Sequence, residues 1–368
     1  SRGCLQLLKK IGIRPDVIHC NDWQTSLIPV YLKTLYKEDD YFKNTRSLLT
    51  IHNIAFQGLF DVHYLDVIGL GNEILTPEGI EFYGKINLLK GGIVFSDLIT
   101  TVSKTYAAEI QTEELGCGLN GVLQNRNGKL FGIINGIDED EWNPVTDKYI
   151  ASHYSVADLS GKVKCKKDLA TIFNLEFKSN VPLIGIISRL DEQNGFDLIE
   201  EIMDDLMKLD VQMCLLGVGK EKYHTFFSDM ASWYKGRVGV RLTFDNVLAH
   251  KIEAGADMFF MPSKYEPCGM SQLYSLKYGT IPIVSSTGGL ADTIIEYDPV
   301  DGSGNGFKFE PYSSSEFFKK VTLAINMYHD KKNWQKLMKN AMNKDFTWNK
   351  SAREYLELYK KIRNTLVF

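Results

Sequence analysis

A chain of 368 residues, 44% hydrophobic and 24% charged, is longer than one compact core usually organises, so two domains are the first expectation. The net charge of -4 gives no basic footprint for nucleic acid or an anionic membrane, and no apolar run reaches the ~20 residues of a membrane span. An aromatic content of 12% argues against disorder, and six scattered cysteines without a C-x-x-C pair argue against a disulfide scaffold or zinc module and for a reducing, cytoplasmic setting.

The chain opens without an initiator Met on an amphipathic stretch with Leu5, Leu8 and Ile11 on one face, so we expect it to begin inside a domain. Short apolar runs then alternate with helical stretches. Strands are expected at 16–20, 48–52, 98–102, 130–135, 183–188, 212–217, 238–244, 258–262 and 281–285. Most are rich in Val, Ile and Leu without strict alternation, as strands covered on both faces should be. Helical patterns lie between them, for example 197–208 and 269–278. This alternation predicts an α/β protein with mostly parallel, doubly wound sheets. A divide falls after Asn135-Gly136, where the acidic, turn-rich run Asp138–Pro144 lacks a strand period. We place a first domain at 1–141, a second at 142–345, and a terminal amphipathic helix in 346–368 that packs back on its own domain or on the other.

In open parallel sheets, ligands bind beyond the carboxyl ends of the strands. That rule selects Asn21-Asp22-Trp23-Gln24, then His52-Asn53 and the residues to Gly58, then Arg189 and the turn to Gly195. It also selects Gly217-Val218-Gly219, the run Pro262–Gly269, and Thr287-Gly288-Gly289. Glycines before a helix let an anion approach backbone N–H groups, although the same residues serve a plain strand-to-helix turn. Arg189 suits bidentate phosphate oxygens, or pairs with Asp191 or Glu192. Glu266 could bond sugar hydroxyls or face a developing positive charge, and it also favours the dipole of the helix after it. His52 could donate to a substrate hydroxyl or be structural, and Asp22 could bond sugar hydroxyls or cap a helix. Trp23 and Phe56 read as core residues rather than sugar platforms. Gly217-Val218-Gly219-Lys220 lacks the spacing and Ser/Thr of a P-loop, and the run 298–306 lacks the closing Glu of a calcium loop. No G-x-S-x-G, H-E-x-x-H or G-x-G-x-x-G follows a strand.

Seven stretches together carry a family resemblance: Arg14–His19 with Asp22-Trp23, Thr50–Gly58, Thr101-Val102-Ser103, Ile134–Asp138, Ser188-Arg189-Leu190, Pro262–Tyr274 and Thr287–Thr293. In this order they resemble the bacterial glycogen synthases and plant-type starch synthases, and the Glu-Pro-Cys-Gly and Thr-Gly-Gly-Leu runs are the most specific. The resemblance implies two Rossmann-like doubly wound domains facing a cleft (the GT-B architecture), the first of them incomplete. It implies transfer of glucose from ADP-glucose to the non-reducing end of an α-1,4-glucan (glycogen or a starch primer) with retention, and no metal or other cofactor. A cytoplasmic location follows, or the plastid stroma for a plant chain.

By the same resemblance, Arg189 neutralises the leaving diphosphate, while the amides of Thr287, Gly288, Gly289, Cys268, Gly269 and Met270, with Ser271, hold phosphate or glucose hydroxyls. Glu266 attends the glucose ring and its oxocarbenium-like transition state. His52 contacts the transferred glucose, with Asn53 beside it in the substrate site, and Asp22 acts on the acceptor side. Phe244 is similar to an adenine-stacking ring, and Asn135 lies near the hinge. Three departures stand out. The family's leading strand and Lys-x-Gly-Gly loop, about a hundred residues, are not in this sequence. A lysine expected five places beyond Arg189 is Asn194, and an arginine expected before Thr-Gly-Gly is replaced by Ser285-Ser286. Two other readings therefore stay open: an impaired or inactive relative that binds glucan or nucleotide sugar, and a transferase for another nucleotide sugar.

Overall fold

The computed structural model describes residues 1–364. They form two compact units, Ser1–Asn135 together with the chain from Ser351 onward, and Gly136–Lys350.

In the first unit, β1 (Val17–Asn21), β2 (Arg46–Ile51), β6 (Leu98–Thr101) and β7 (Leu130–Gly132) make a parallel sheet in the order β1-β2-β6-β7. A small antiparallel sheet of β3 (Leu59–Asp61), β4 (Glu81–Phe82) and β5 (Lys85–Asn87), ordered β3-β5-β4, is inserted between β2 and β6. Its strands are two or three residues long, too short to leave a period in the sequence. The leading helix spans Arg2–Ile11, but only Leu5 of the expected face is fully buried and Ile11 is exposed, so the apolar stripe is narrower than the pattern suggested. The terminal helix, Trp348–Asn364, packs Ile362, with Tyr355, Leu358 and Tyr359 beside it, against Leu48 and Leu98.

The second unit holds β8 (Leu183–Ile187), β9 (Gln212–Leu216), β10 (Val238–Arg241), β11 (Met258–Met261), β12 (Ile281–Ser285) and β13 (Phe307–Phe309), all parallel, in the order β10-β9-β8-β11-β12-β13. Strand residues alternate between two cores. Ile184, Ile186, Met213, Leu215, Phe260 and Ile283 feed one face, and Leu183, Cys214, Leu216 and Phe259 the other. That is why these strands read as unbroken apolar runs. The chain runs outward from β8 to β10, then returns to β11 on the other side of β8 and runs outward again to β13. The order therefore reverses between β8 and β11, the switch point where a doubly wound sheet opens a crevice at its carboxyl edge.

Candidate functional site

The carboxyl ends of β8 and β11 bring together the residues singled out in the second unit. Arg189, two places beyond β8, is exposed. Behind it, Asp191 caps a short turn by accepting the N–H of Asn194 at 3.1 Å. Asn194, at the lysine position, is committed within this turn, its Nδ2 donating to the Arg189 carbonyl at 3.0 Å and to Asp191 Oδ1 at 2.9 Å. Glu192 does not pair with Arg189. It binds Lys220 and Lys222, and their ammonium groups hold its carboxyl down at about 2.

Glu266 lies in the loop after β11. Its carboxyl is pushed up to about 7 by burial, offset in part by the Gly269 N–H and by the charge of Arg189. The Gly269 N–H donates to Glu266 Oε1 at 3.1 Å, from a glycine in the left-handed region at φ 68°. The turn at Thr287-Gly288-Gly289 closes on the same loop. The Gly289 N–H donates to the carbonyls of Glu266 and Pro267, both at 3.1 Å, and that of Thr287 to Ser285 at 3.1 Å. A Cβ on Gly288 would strike the Glu266 carbonyl oxygen, and one on Gly289 that of Cys268. Two of the three amides expected to hold an anion are thus bound to the backbone. In this structure the glycines serve close packing of the turn beneath Glu266. Cys268 is buried, and Met270 and Ser271 lead into the helix Ser271–Lys277.

Beside Arg189, a mostly apolar cavity of about 230 Å³ opens beyond β8 and β9, lined by Ile187, Leu216, Gly217, Val218, Thr243 and Phe244 among others. Phe244 is 88% exposed at its rim. The strand expected to reach Phe244 stops at Arg241, which frees the last three residues to leave the sheet.

In the first unit, Asp22 is not an N-cap. It sits at φ 54° at the end of β1, and its Oδ1 accepts the backbone N–H of His52 at 2.8 Å, joining the ends of β1 and β2. The His52 ring is 2.9 Å from Asn21 Oδ1 through Nε2. Asn53 accepts the Ala55 N–H at 3.0 Å and holds the following turn. Trp23 is half-buried against Phe60, ring centroids 5.9 Å apart. Phe56, expected in the core, is 59% exposed, because the chain turns outward there to enter the inserted sheet. Asn135 ends the first unit and is half-buried.

Sequence reasoning missed the residues that brace the Glu266 loop. Gln272 donates from Nε2 to the carbonyls of Cys268 at 2.8 Å and Gly269 at 3.1 Å, and Thr293 Oγ1 donates to the Gly289 carbonyl at 2.6 Å. A buried amide one helical turn past a glycine loop was the available signal. Trp142 stacks between His250, 3.7 Å away, and Tyr274, 3.9 Å away, and so fixes the helix that follows the loop.

Comparison with known proteins shows the family to which the fold belongs. Residues 1–125 match the family described as the starch synthase catalytic domain, and residues 169–344 match glycosyl transferases group 1. Fold and matches together define a glycosyltransferase of the two-Rossmann, GT-B class. The chain is 51% identical to a glycogen synthase of Thermosipho africanus over 99% of its own length and 75% of that protein. It is 50% identical to one of Thermotoga maritima over 97% and 74%. Among solved structures, the catalytic domain of starch synthase IV from Arabidopsis thaliana, bound to ADP and acarbose, is 36% identical with a TM-score of 0.91, over 98% of this chain and 76% of that one. A sucrose-phosphate synthase from Thermosynechococcus elongatus shares the fold alone, at 17% identity and a TM-score of 0.62. The chain belongs to the glycogen and starch synthase family of glycosyltransferases.

Proposed function

We propose that the protein moves glucose from ADP-glucose to the non-reducing end of an α-1,4-glucan, in the cytoplasm and with retention at the anomeric carbon. The observation that carries this reading is the gathering of Arg189, Glu266 and the Gly288 turn at one switch point, beside an apolar cavity sized for a base. The relative that binds ADP and acarbose supports the choice of donor and acceptor. Breaking the glycosyl–phosphate bond leaves positive charge on the sugar and negative charge on the diphosphate. The Arg189 guanidinium meets the second and the Glu266 carboxylate the first, and so good a leaving group needs no general acid. In this assignment Phe244 covers the adenine, and the Cys268–Ser271 segment contacts the glucose. In the first unit, His52, Asp22 and Asn53 are assigned to sugar hydroxyls.

The test is incorporation of radiolabelled glucose from ADP-glucose into glycogen. Wild type should transfer, and Glu266→Ala should lose ~10²-fold or more. Full activity in Glu266→Ala removes Glu266 from the mechanism. Consumption of UDP-glucose with ADP-glucose untouched changes the donor, and glycogen affinity without ADP release marks a binder instead of an enzyme.

A further inference from the structure

The departing diphosphate carries more than one negative charge, yet Arg189 is the sole cation assigned to it so far. The groups that would otherwise share the load are occupied. The N–H groups of Thr287 and Gly289 donate to backbone carbonyls, the Asn194 amide is locked in its turn, and Lys220 and Lys222 are bound to Glu192. Lys264 is different. It lies three residues beyond β11, and its backbone N–H donates to the Gln193 carbonyl at 2.9 Å, which fastens it to the turn that follows Arg189. Gly195, at φ 80°, lets that turn press against Pro262, since a Cβ there would strike the Pro262 carbonyl. Arg189 and Lys264 thus follow the carboxyl ends of the two strands that flank the switch point. Both side chains are exposed, and among the described residues neither ammonium nor guanidinium makes an ion pair or hydrogen bond.

We propose that Lys264 is the second cation of the diphosphate site, meeting the phosphate oxygens as a point charge across the crevice from Arg189 and doing the work that Asn194 cannot. An ammonium on a flexible stem suits this part, because it can follow the charge as it moves onto the leaving oxygens. The inference rests on the nucleotide-sugar reading above and says which side chain completes its site.

Calorimetric titration with ADP and with adenosine, which has no phosphates, separates the two ideas. Lys264→Met should weaken ADP binding about 10- to 100-fold and leave adenosine binding unchanged, while Lys264→Arg stays near wild type. Asn194→Lys should restore ADP binding in the Lys264→Met background and add little to wild type, since it returns a charge only where one is missing. Unchanged ADP binding in Lys264→Met overturns the proposal. So does an equal loss of ADP and adenosine, which would mean a disturbed loop. Wild type that binds neither ligand overturns the donor reading and this inference with it.

Discussion

Glu266 holds its proton to a higher pH than a surface glutamate because its loop shields it from water faster than Gly269 and Arg189 can compensate. The ionised form is the one that opposes positive charge on a sugar ring. Turnover should therefore rise as pH climbs through about 7, and the rise should vanish in Glu266→Gln, read from the pH profile of kcat. Stability runs the other way. Its raised value means that the fold favours the neutral acid, a contribution fully present below the ordinary carboxyl range and lost as pH rises through about 7. Glu266→Gln should melt above wild type at pH 8.5 and level with it at pH 4. The positions of Arg189, Glu266 and the Gly288 turn were legible in the sequence because each follows an apolar run that ends as a strand. Phe56 was misread because an aromatic next to Ile54 looks like core, and only the inserted sheet turns it outward. Gln272 was passed over because a glutamine at the start of a helix gives no sign in the sequence that it is buried under the loop before it.

At the scale of elements, the nine expected strands are all present, most trimmed by a residue or more, since side-chain pattern continues past the last ladder hydrogen bond. Strands β3, β4, β5 and β13, two or three residues each, were invisible, being set by pairing partners and not by their own period. The glycine turn is the most demanding joint. Gly289→Ala should displace the Cys268 carbonyl, distort the Glu266 loop and cut transfer at least as far as it lowers the melting point, measured on the same preparation. The terminal helix makes a second prediction. Burial, with a lesser push from His52, drives the His19 imidazole down to about 4, while His19 Nδ1 lies 2.7 Å from the Tyr359 hydroxyl and Nε2 2.6 Å from Thr50 Oγ1. A depressed imidazole stabilises the fold at pH above its ordinary value of 6.5, and that contribution drains away as pH falls toward about 4. The protection of amides in 351–364, taken relative to their intrinsic exchange rate, should fall over that window, and His19→Asn should flatten the response.

On the scale of the whole molecule, length and the break near Asn135-Gly136 led to expected domains of 1–141 and 142–345, the compact units divide at Asn135, and the doubly wound order of the second sheet followed from its alternating pattern. The amphipathic pattern of the terminal helix announced that it packs back but left open on which domain; the helix from Ser351 closes the first unit. A ligand that binds one unit stabilises that unit alone. ADP at a hundred times its dissociation constant should raise the urea transition of Gly136–Lys350 by about 2.7 kcal/mol and leave the transition of the first unit in place, followed by tryptophan fluorescence and amide exchange. A single transition that moves as one would show that the units do not unfold separately.

The return of the chain to its first unit sets a timetable for biosynthesis. Leu48 and Leu98 emerge from the ribosome long before Ile362, which covers them. While the second unit is being made, the nascent protein carries an uncovered greasy face, open to misfolding until the helix Trp348–Asn364 has emerged to cover it.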